Sequence, residues 1–410
     1  MASPGRTALI ALLIGLSAFG FYATIIPMLS NGMAPIISSL ADGTLAALPG
    51  SPAPVRRTYT GVAAVDRYLL LLIGFFSPIV DGNPGWATTA YFAWALAQCG
   101  AGWTLLVLEA RRAGNRGRAV AWIVAVGALV QNLTWTVTAP LYLALHLATS
   151  PVARLRNGDG EAARRSLFVY LWDLALLPLA ITLGFGVPGV AMSLPNLLRQ
   201  SADTHYGWVA FWQAFPAWTV GLLGGLHYVC YYALGSLSPQ DARGRPAPPG
   251  HGFSVAVAGV YEFVLTACAS AQVPILALAL LPAALRESLS AAFPSYAALI
   301  TQVSFRDVFI PYPAWTPPSV DPTAYGPGDL APIALNFLQY DVYVGHTALS
   351  LWSAYLHVTT AKNPSLLKTL RVAGFWFLVG GPGAAAAALL WDRDEVVKEG
   401  EKPTVEAKTK

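Results

Sequence analysis

Long apolar stretches, separated by short polar connections, constrain the fold of this chain more than any other feature of its sequence. A helix needs ~20 mostly apolar residues to cross the hydrocarbon core of a bilayer. Charged residues make up only 11% of the chain, against roughly 25% in soluble domains. A surface so poor in charge needs lipid around it. The predicted spans are 7–29, 86–109, 119–148, 167–192, 206–234, 255–283, 332–358 and 371–391.

These stretches predict an all-α fold, a polytopic transmembrane helical bundle. No run of alternating ten-residue strands is visible, and helices are the other way to satisfy backbone polar groups in lipid. The count is eight spans, or nine if 62–80 also crosses. That stretch carries Asp66 and Arg67 near its start, so it either spans or lies in the interface as an amphipathic helix. We expect 1–391 to form one transmembrane domain and 392–410 a disordered, charged, solvated tail.

The orientation of the bundle does not follow from its basic residues. Cytoplasmic loops of membrane proteins are enriched in Lys and Arg. Two arginine clusters flank the predicted span 119–148, so a true crossing would place one of them on the wrong side. The clusters are Arg111, Arg112, Arg116 and Arg118 before the span, and Arg154, Arg156, Arg164 and Arg165 after it.

The chain lacks the sequence motifs that several classes of function require. The net charge is only +4, and no basic patch alternates with aromatic residues, so a nucleic-acid partner is not expected. Cys99, Cys230 and Cys268 lie in apolar stretches without metal-ligand spacing, and buried free thiols are the simplest reading. There is no P-loop, dinucleotide fingerprint, nucleophile elbow or aspartate-rich motif for a magnesium diphosphate. We therefore expect no metal and no cofactor.

Charged residues inside the spans are the first candidates for chemistry, because their burial in lipid is costly. Asp173, Glu262 and Asp341 are the acids of this kind. Asp341 is the strongest, since it shares a helical stripe with the small residues Gly345 and Ala348, which leave room for a ligand or a close helix. Burial favours the protonated form of a carboxyl group, and such a group can act as a Brønsted acid. The alternative is a hydrogen bond from each acid to a neighbouring helix.

Buried polar and aromatic side chains are the candidates for a binding pocket. Satisfied structural contacts are the more expected role of the span histidines. Dense aromatic stripes usually reflect packing or an interfacial belt, yet aromatic faces also stabilise cations. The candidate binding residues are Asn132, His146, Trp212, Tyr340, His346 and Trp352.

Two patches of the sequence resemble a known family. They read QNLTWTVTAPLYLALHLATSP over 131–151 and NFLQYDVYVGHTALSLW over 336–352. Both resemble fungal integral membrane terpene cyclases of meroterpenoid biosynthesis, of the ascofuranone and macrophorin type. The resemblance rests on these patches, the number of spans and the length of the chain.

The resemblance implies a specific chemistry. Such enzymes protonate a terminal epoxide or alkene of a farnesyl-type chain and guide metal-independent carbocation cyclisation. Asp341 in LQYD would be the acid, with Glu262 or Asp173 as a second acid, base or orienting group. Asn132 and His146 would be polar groups of the pocket.

The expected partners are the lipid bilayer and a hydrophobic prenylated substrate, and the expected location is the endoplasmic reticulum membrane. A small-molecule or proton-coupled transporter is the alternative, because intramembrane acids and proline-broken helices suit transport too. A non-catalytic scaffold for other enzymes is a third possibility.

Overall fold

The computed structural model describes residues 4–51, 53–81, 85–237, 251–361 and 365–397, and every regular element in them is helical. This confirms the all-α class. Shorter 3₁₀ turns lie at Ala113–Asn115, Ala119–Ala121, Val152–Arg154 and Pro294–Tyr296, and a π turn lies at Thr182–Gly186. The α-helices are α1 (Pro4–Ser30), α2 (Met33–Asp42), α3 (Ala63–Val80), α4 (Trp86–Arg111), α5 (Ile123–Leu133), α6 (Trp135–Thr149), α7 (Gly160–Leu167), α8 (Leu171–Ile181), α9 (Val187–Ser193), α10 (Ala202–Trp212), α11 (Phe215–Leu234), α12 (His251–Ala279), α13 (Ala283–Ala292), α14 (Ala297–Gln302), α15 (Phe305–Phe309), α16 (Ala331–Thr360) and α17 (Leu366–Asp394).

Within the described residues, six helices are long and apolar enough to cross a membrane, and seven if the bent pair α10–α11 is one span. The expected eight or nine spans are therefore not confirmed. We call the end of the bundle where α4 finishes the basic end, and the opposite end, where residues 303–330 lie, the loop end. By length and composition the six include α3 and α17, whereas the predicted spans 119–148 and 332–358 are not among them.

The predicted span 119–148 is a hairpin of two antiparallel helices, α5 and α6. The chain reverses at Thr134, a non-glycine residue with φ 74°. Tyr142 of α6 donates a hydrogen bond to the carbonyl of Val120 at 2.9 Å, so the two arms lie side by side. Both ends of the hairpin are at the basic end, where Ser150 bonds to Asn115. The two arginine clusters therefore lie at one end of the bundle, and the conflict in orientation disappears.

The predicted span 371–391 is likewise part of a hairpin, because α17 folds back at Gly381 (φ 81°). Lys368 and Asp392 pair at 2.8 Å, although 24 residues of straight helix would separate them by ~36 Å. The Gln98 side chain holds the turn, donating to the Gly380 carbonyl at 3.0 Å and accepting from the Gly383 amide at 2.9 Å. A Cβ on Gly381 would lie 2.6 Å from Gln272, so glycine is required there.

The undecided stretch 62–80 forms α3, which lies at the loop end. Arg67 near its start pairs with Asp42 at 2.8 Å, and Asp81 just after it accepts from Ser51 at 2.9 Å. The carboxylate of Asp66 accepts hydrogen bonds from the backbone amides of 59–61, which fixes the preceding loop. By length and composition α3 is one of the six candidate spans.

Candidate active site

The two sequence patches that carry the family resemblance pack against each other. The Asp341 carboxylate of α16 accepts a hydrogen bond from the backbone amide of Thr136 at 2.8 Å. One turn further along α16, Gly345 contacts the ring of Trp135. Near the basic end, the Trp352 indole donates to Nδ1 of His146 at 3.1 Å. The patches are thus two sides of one helix pair, with Asp341 at the tip of the α5–α6 hairpin.

The hairpin tip gives Asp341 an unusual environment for an acid. The first turn of a helix leaves backbone N–H groups without partners, and here the break at Thr134 exposes that turn inside the bundle. The amide of Thr136 and the positive end of the helix dipole stabilise negative charge on the carboxylate. The same amide is in place to bond to the carboxylate that remains after the acid has given up its proton.

Glycines at two positions hold the Trp135 ring in place. A Cβ on Gly345 would lie 2.2 Å from Cδ1 of this indole, and a Cβ on Gly102 would lie 2.6 Å from Cζ2. The small residue beside Asp341 therefore accommodates a close helix, which was one of the two roles expected for it. No ligand space opens at Gly345 itself.

Asp341 borders a cavity of about 90 Å³ at the centre of the bundle. It is the acidic side chain among the lining residues, which also include Cys99 and the amide of Gln131. Centroids of contacting rings in the wall lie 4.9 to 6.3 Å apart, mostly edge to face. The aromatic lining residues are Phe76, Phe92, Trp103, Trp135, Phe185, Trp212 and Phe215.

A sharp bend brings two aromatic residues of the predicted span 206–234 to this wall. The axes of α10 and α11 differ by 71°, and the bend lies between Trp212 and Phe215. Both side chains line the cavity, whereas Trp208 instead contacts Phe211 at 5.9 Å. Trp212 is therefore the candidate binding residue that the structure places at Asp341.

The other two candidate acids lie elsewhere. Asp173 pairs with His227 at 2.8 Å in a separate groove at the basic end. Glu262 is exposed on the outer face of α12. The three acids do not converge, so the geometry gives neither Asp173 nor Glu262 a place beside Asp341.

The remaining candidate binding residues make contacts away from the cavity. Asn132 is exposed and bonds to the Ala128 carbonyl at 2.8 Å. Tyr340 donates to a backbone carbonyl of the loop end. His346 is buried between the carbonyls of Gln98 and Val342, which is the satisfied structural contact anticipated for span histidines.

His146 and Trp352 instead adjoin a buried cluster of charges at the basic end. Arg393 contacts Glu109 at 2.6 Å, and Arg112 contacts the same carboxylate at 3.2 Å; all these side chains are 0% exposed. Asp394 accepts from both arginines and from Tyr261, and His146 lies 3.6 Å from Glu109. Two cations and two anions thus tie α4, α12 and α17 together.

Sequence reasoning missed this cluster and placed part of it in the solvent. Arg393 and Asp394 are buried, so the prediction of a solvated tail from residue 392 onward is wrong for them. Residues 398–410 of that predicted tail lie outside the described residues. A sequence signal for the cluster was present: the acid Glu109 lies at the end of one predicted span, and Arg393 lies just after the end of another.

The central cavity of this apolar helical bundle brings one acid next to a wall of aromatic rings. That arrangement is expected of a terpene cyclase. The comparisons with known proteins agree. The model of the CtvD domain matches residues 8–398, and the chain belongs to this family of fungal meroterpenoid terpene cyclases. The expectation from the two sequence patches is confirmed.

Individual relatives cover most of the chain at low identity. The terpene cyclase ascI of Acremonium egyptiacum is 27% identical over 83% of this chain and 79% of its own length. The terpene cyclase ctvD of Aspergillus terreus is 27% identical over 85% and 88%, and janA of Penicillium janthinellum is 26% identical over 92% and 93%. No solved structure matches the chain. The protein is therefore a terpene cyclase of fungal secondary metabolism, which sets aside the transporter and scaffold alternatives.

Proposed function

We propose that this chain is an integral membrane cyclase in which Asp341 protonates a terminal epoxide or alkene of a linear, farnesyl-type prenyl chain. Cyclisation then proceeds through carbocations in the aromatic cavity, without ionisation of a diphosphate. The observation that carries the proposal is the position of Asp341: an acid at a helix N-terminus, facing a cavity walled by aromatic rings.

The proposed step balances as follows for an epoxide. The proton of Asp341 passes to the epoxide oxygen, and the carbon–oxygen bond at the more substituted carbon breaks. A carbon–carbon double bond of the same chain attacks the resulting cation, so a ring bond forms and the positive charge moves along the chain. Loss of a proton from a neighbouring carbon, or addition of water, ends the reaction. Ended by proton loss, the product is an isomer of the substrate and the proton is regenerated.

The surroundings of Asp341 suit this sequence of steps. Aromatic faces attract cations by roughly 0.5–2 kcal/mol each without forming bonds to them, and seven rings line the cavity. The amide of Thr136 stabilises the carboxylate that remains after proton transfer. A positioned general acid typically accelerates such a step by ~10²–10⁴-fold.

The proposed setting is the endoplasmic reticulum membrane. The long apolar helices support a bilayer environment, which also dissolves a prenylated substrate. Both arginine clusters lie at the basic end, so the positive-inside rule favours the cytosol for that end. The bilayer and the substrate are the partners that this setting requires.

The test is to feed microsomes containing the protein with linear farnesyl-type compounds that end in an epoxide, an alkene or a diphosphate. From the epoxide or alkene we expect a cyclic product, of unchanged mass or one water heavier, by mass spectrometry and NMR, and no such product with Asp341→Asn. Consumption of the diphosphate with release of its leaving group would contradict the proposal.

A further inference from the structure

The cavity at Asp341 is too small to hold the proposed substrate as it stands. Its volume is about 90 Å³, whereas small-molecule sites usually occupy ~300–1,000 Å³. A prenyl chain therefore reaches Asp341 only if part of the cavity wall moves. The segment that moves must line the cavity, lie at the surface of the bundle and be held there by few contacts.

The last turn of α5, residues 130–133, meets the first two of these conditions, and we call it the end turn. Val130 and Gln131 line the cavity. On the other side of the same turn, Asn132 and Leu133 are exposed. A single turn of one helix thus separates the cavity from the outside of the bundle.

The end turn is also held less firmly than the helix that follows it. Only three of the eleven residues of α5 are buried, namely Ile123, Gly127 and Val130, whereas α6 buries eleven of fifteen. The tight contact of α5 is at Gly127, where a Cβ would lie 2.3 Å from Pro216, so the helix is clamped before the end turn begins. After the end turn, Thr134 has φ 74° and ψ 161°, a backbone region that is almost confined to glycine. Strained residues of this kind cluster at switch regions and ligand clamps.

Two side-chain contacts close the end turn against the rest of the bundle. Asn132 accepts a hydrogen bond from the hydroxyl of Tyr68 on α3 at 3.2 Å. Gln131 donates to the backbone carbonyl of Gln213, at the bend between α10 and α11, at 2.7 Å. Tyr68 and Asn132 are both exposed, so their contact can break without disturbing the core.

The surroundings of α5 decide how much its displacement costs. It is a short apolar helix, and its exposed side chains include Val124, Leu129 and Leu133. In water, the hydrophobic effect would press such a helix onto the bundle. Lipid tails are as apolar as leucine, so a bilayer provides no such force. In a membrane the end turn is therefore kept closed by packing and by its two hydrogen-bonded contacts, and an apolar chain from the lipid can take its place.

We propose that the end turn of α5 is the entrance of the cyclase, which moves away from α3 and admits the prenyl chain sideways from the bilayer to Asp341. Tyr68 and Asn132 form the outer latch of this entrance, and Gln131 forms its inner contact. The inference rests on the proposed function, because it supplies the route by which the substrate reaches the acid. It gives Asn132, which lies outside the cavity, a role in admitting the substrate rather than in binding it.

The test locks the entrance reversibly. In Tyr68→Cys/Asn132→Cys, a short bis-methanethiosulfonate reagent joins the two new thiols, and a reductant separates them again. The readout is labelling in membranes by a farnesyl-type chain that ends in a photoreactive diazirine, mapped by mass spectrometry. Without the cross-link, the probe should label the part of α4 that lines the cavity, residues 92–103. With ~90% of the protein cross-linked, labelling should fall ~10-fold, in proportion to the fraction left open, and should return after reduction. Cyclisation of a terminal-epoxide substrate should follow the same course.

The matched control is Val65→Cys/Tyr68→Cys, which places both thiols on α3. Val65 is exposed like Tyr68, and residues three apart are neighbours on one helix face, so the same reagent joins them without bridging the entrance. Labelling and cyclisation by this control should be the same before and after treatment. The control also reports any reaction of the reagent with the native thiols of Cys99, Cys230 and Cys268. Size-exclusion profiles in detergent confirm that each variant is folded.

The proposal is overturned if the cross-linked protein is labelled as strongly as the reduced protein, or if the control pair loses labelling equally. It is also overturned if the open protein is not labelled at the cavity, or if reduction does not reverse the loss. The two proposals fail separately. If labelling follows the cross-link but no linear substrate is cyclised, the proposed function is wrong and the entrance stands. If cyclisation continues at full rate through the cross-link, the entrance is wrong and Asp341 keeps its assignment.

Discussion

Replacing Arg393 by Met should destabilise the protein strongly, because it leaves a buried negative charge without its partner. The Arg393 guanidinium contacts Glu109 at 2.6 Å and Asp394 at 2.8 Å, and all three side chains are at most 1% exposed. With Arg393 gone, the cluster keeps two carboxylates and only Arg112. Removing one member of a buried ion pair typically costs ~3–5 kcal/mol. Methionine fills most of the volume, so the loss reports mainly the charge.

The measurement is equilibrium unfolding in mixed detergent micelles, followed by tryptophan fluorescence. Arg165→Met is the matched control, because Arg165 also pairs with an acid, Glu161, at 2.8 Å, but with 75% of its side chain exposed. That substitution should cost ~0–1 kcal/mol. The double variant Glu109→Gln/Arg393→Met restores charge balance and should lose less stability than the sum of its two single changes. Equal, small losses of stability for the two arginine variants would refute the account and indicate that Arg393 lies in a solvated tail.

Three further predictions concern the topology and the cavity. Cysteines introduced at the exposed positions Ala119 and Ala162 should react with a membrane-impermeant maleimide from one side of the membrane, and a cysteine at the exposed position Ala324 should react from the other side. Labelling of the first two from opposite sides would mean that 119–148 crosses. Gly345→Ala should displace the Trp135 indole, whose Cδ1 would lie 2.2 Å from the new Cβ. We expect the free energy of unfolding to fall by ~1–3 kcal/mol and cyclisation to slow. Full activity and unchanged stability would show that the contact is easily relaxed. Trp212→Ala should shift the products, separated by mass spectrometry, towards incompletely cyclised or hydrated compounds, because one wall of the cavity is lost; an unaltered product pattern would remove Trp212 from the site.

The sequence was sufficient to predict the fold class and to single out Asp341, which the structure places at the aromatic cavity. A chain with few charged residues and long apolar runs has few alternatives to a helical bundle. Asp341 stood out because an intramembrane carboxylate is costly unless it serves a purpose. The two patches of family resemblance meet in space at Thr136 and Asp341, which explains why both carry the resemblance.

The number of spans could not be predicted, because hydropathy reports the length of an apolar run and not its direction. A run of 30 residues such as 119–148 is long enough to cross, yet it reverses at Thr134, and a threonine with positive φ leaves no mark in the composition. The reversal of α17 did carry a signal in its Gly-Gly-Pro-Gly sequence at 380–383. The partners of the buried charges were hidden for another reason: Glu109 and Arg393 are 284 residues apart in the chain.

The measurement that tests the central claim most directly compares two acids in one membrane preparation. Asp341→Asn removes the carboxylic acid of the cavity, and Glu262→Gln removes an acid of the same bundle that faces outward. With equal amounts of folded protein and a terminal-epoxide substrate, the initial cyclisation rate should fall at least ~100-fold in the first variant and stay within about two-fold of wild type in the second. Equal rates for the two variants would contradict the assignment of Asp341 as the acid.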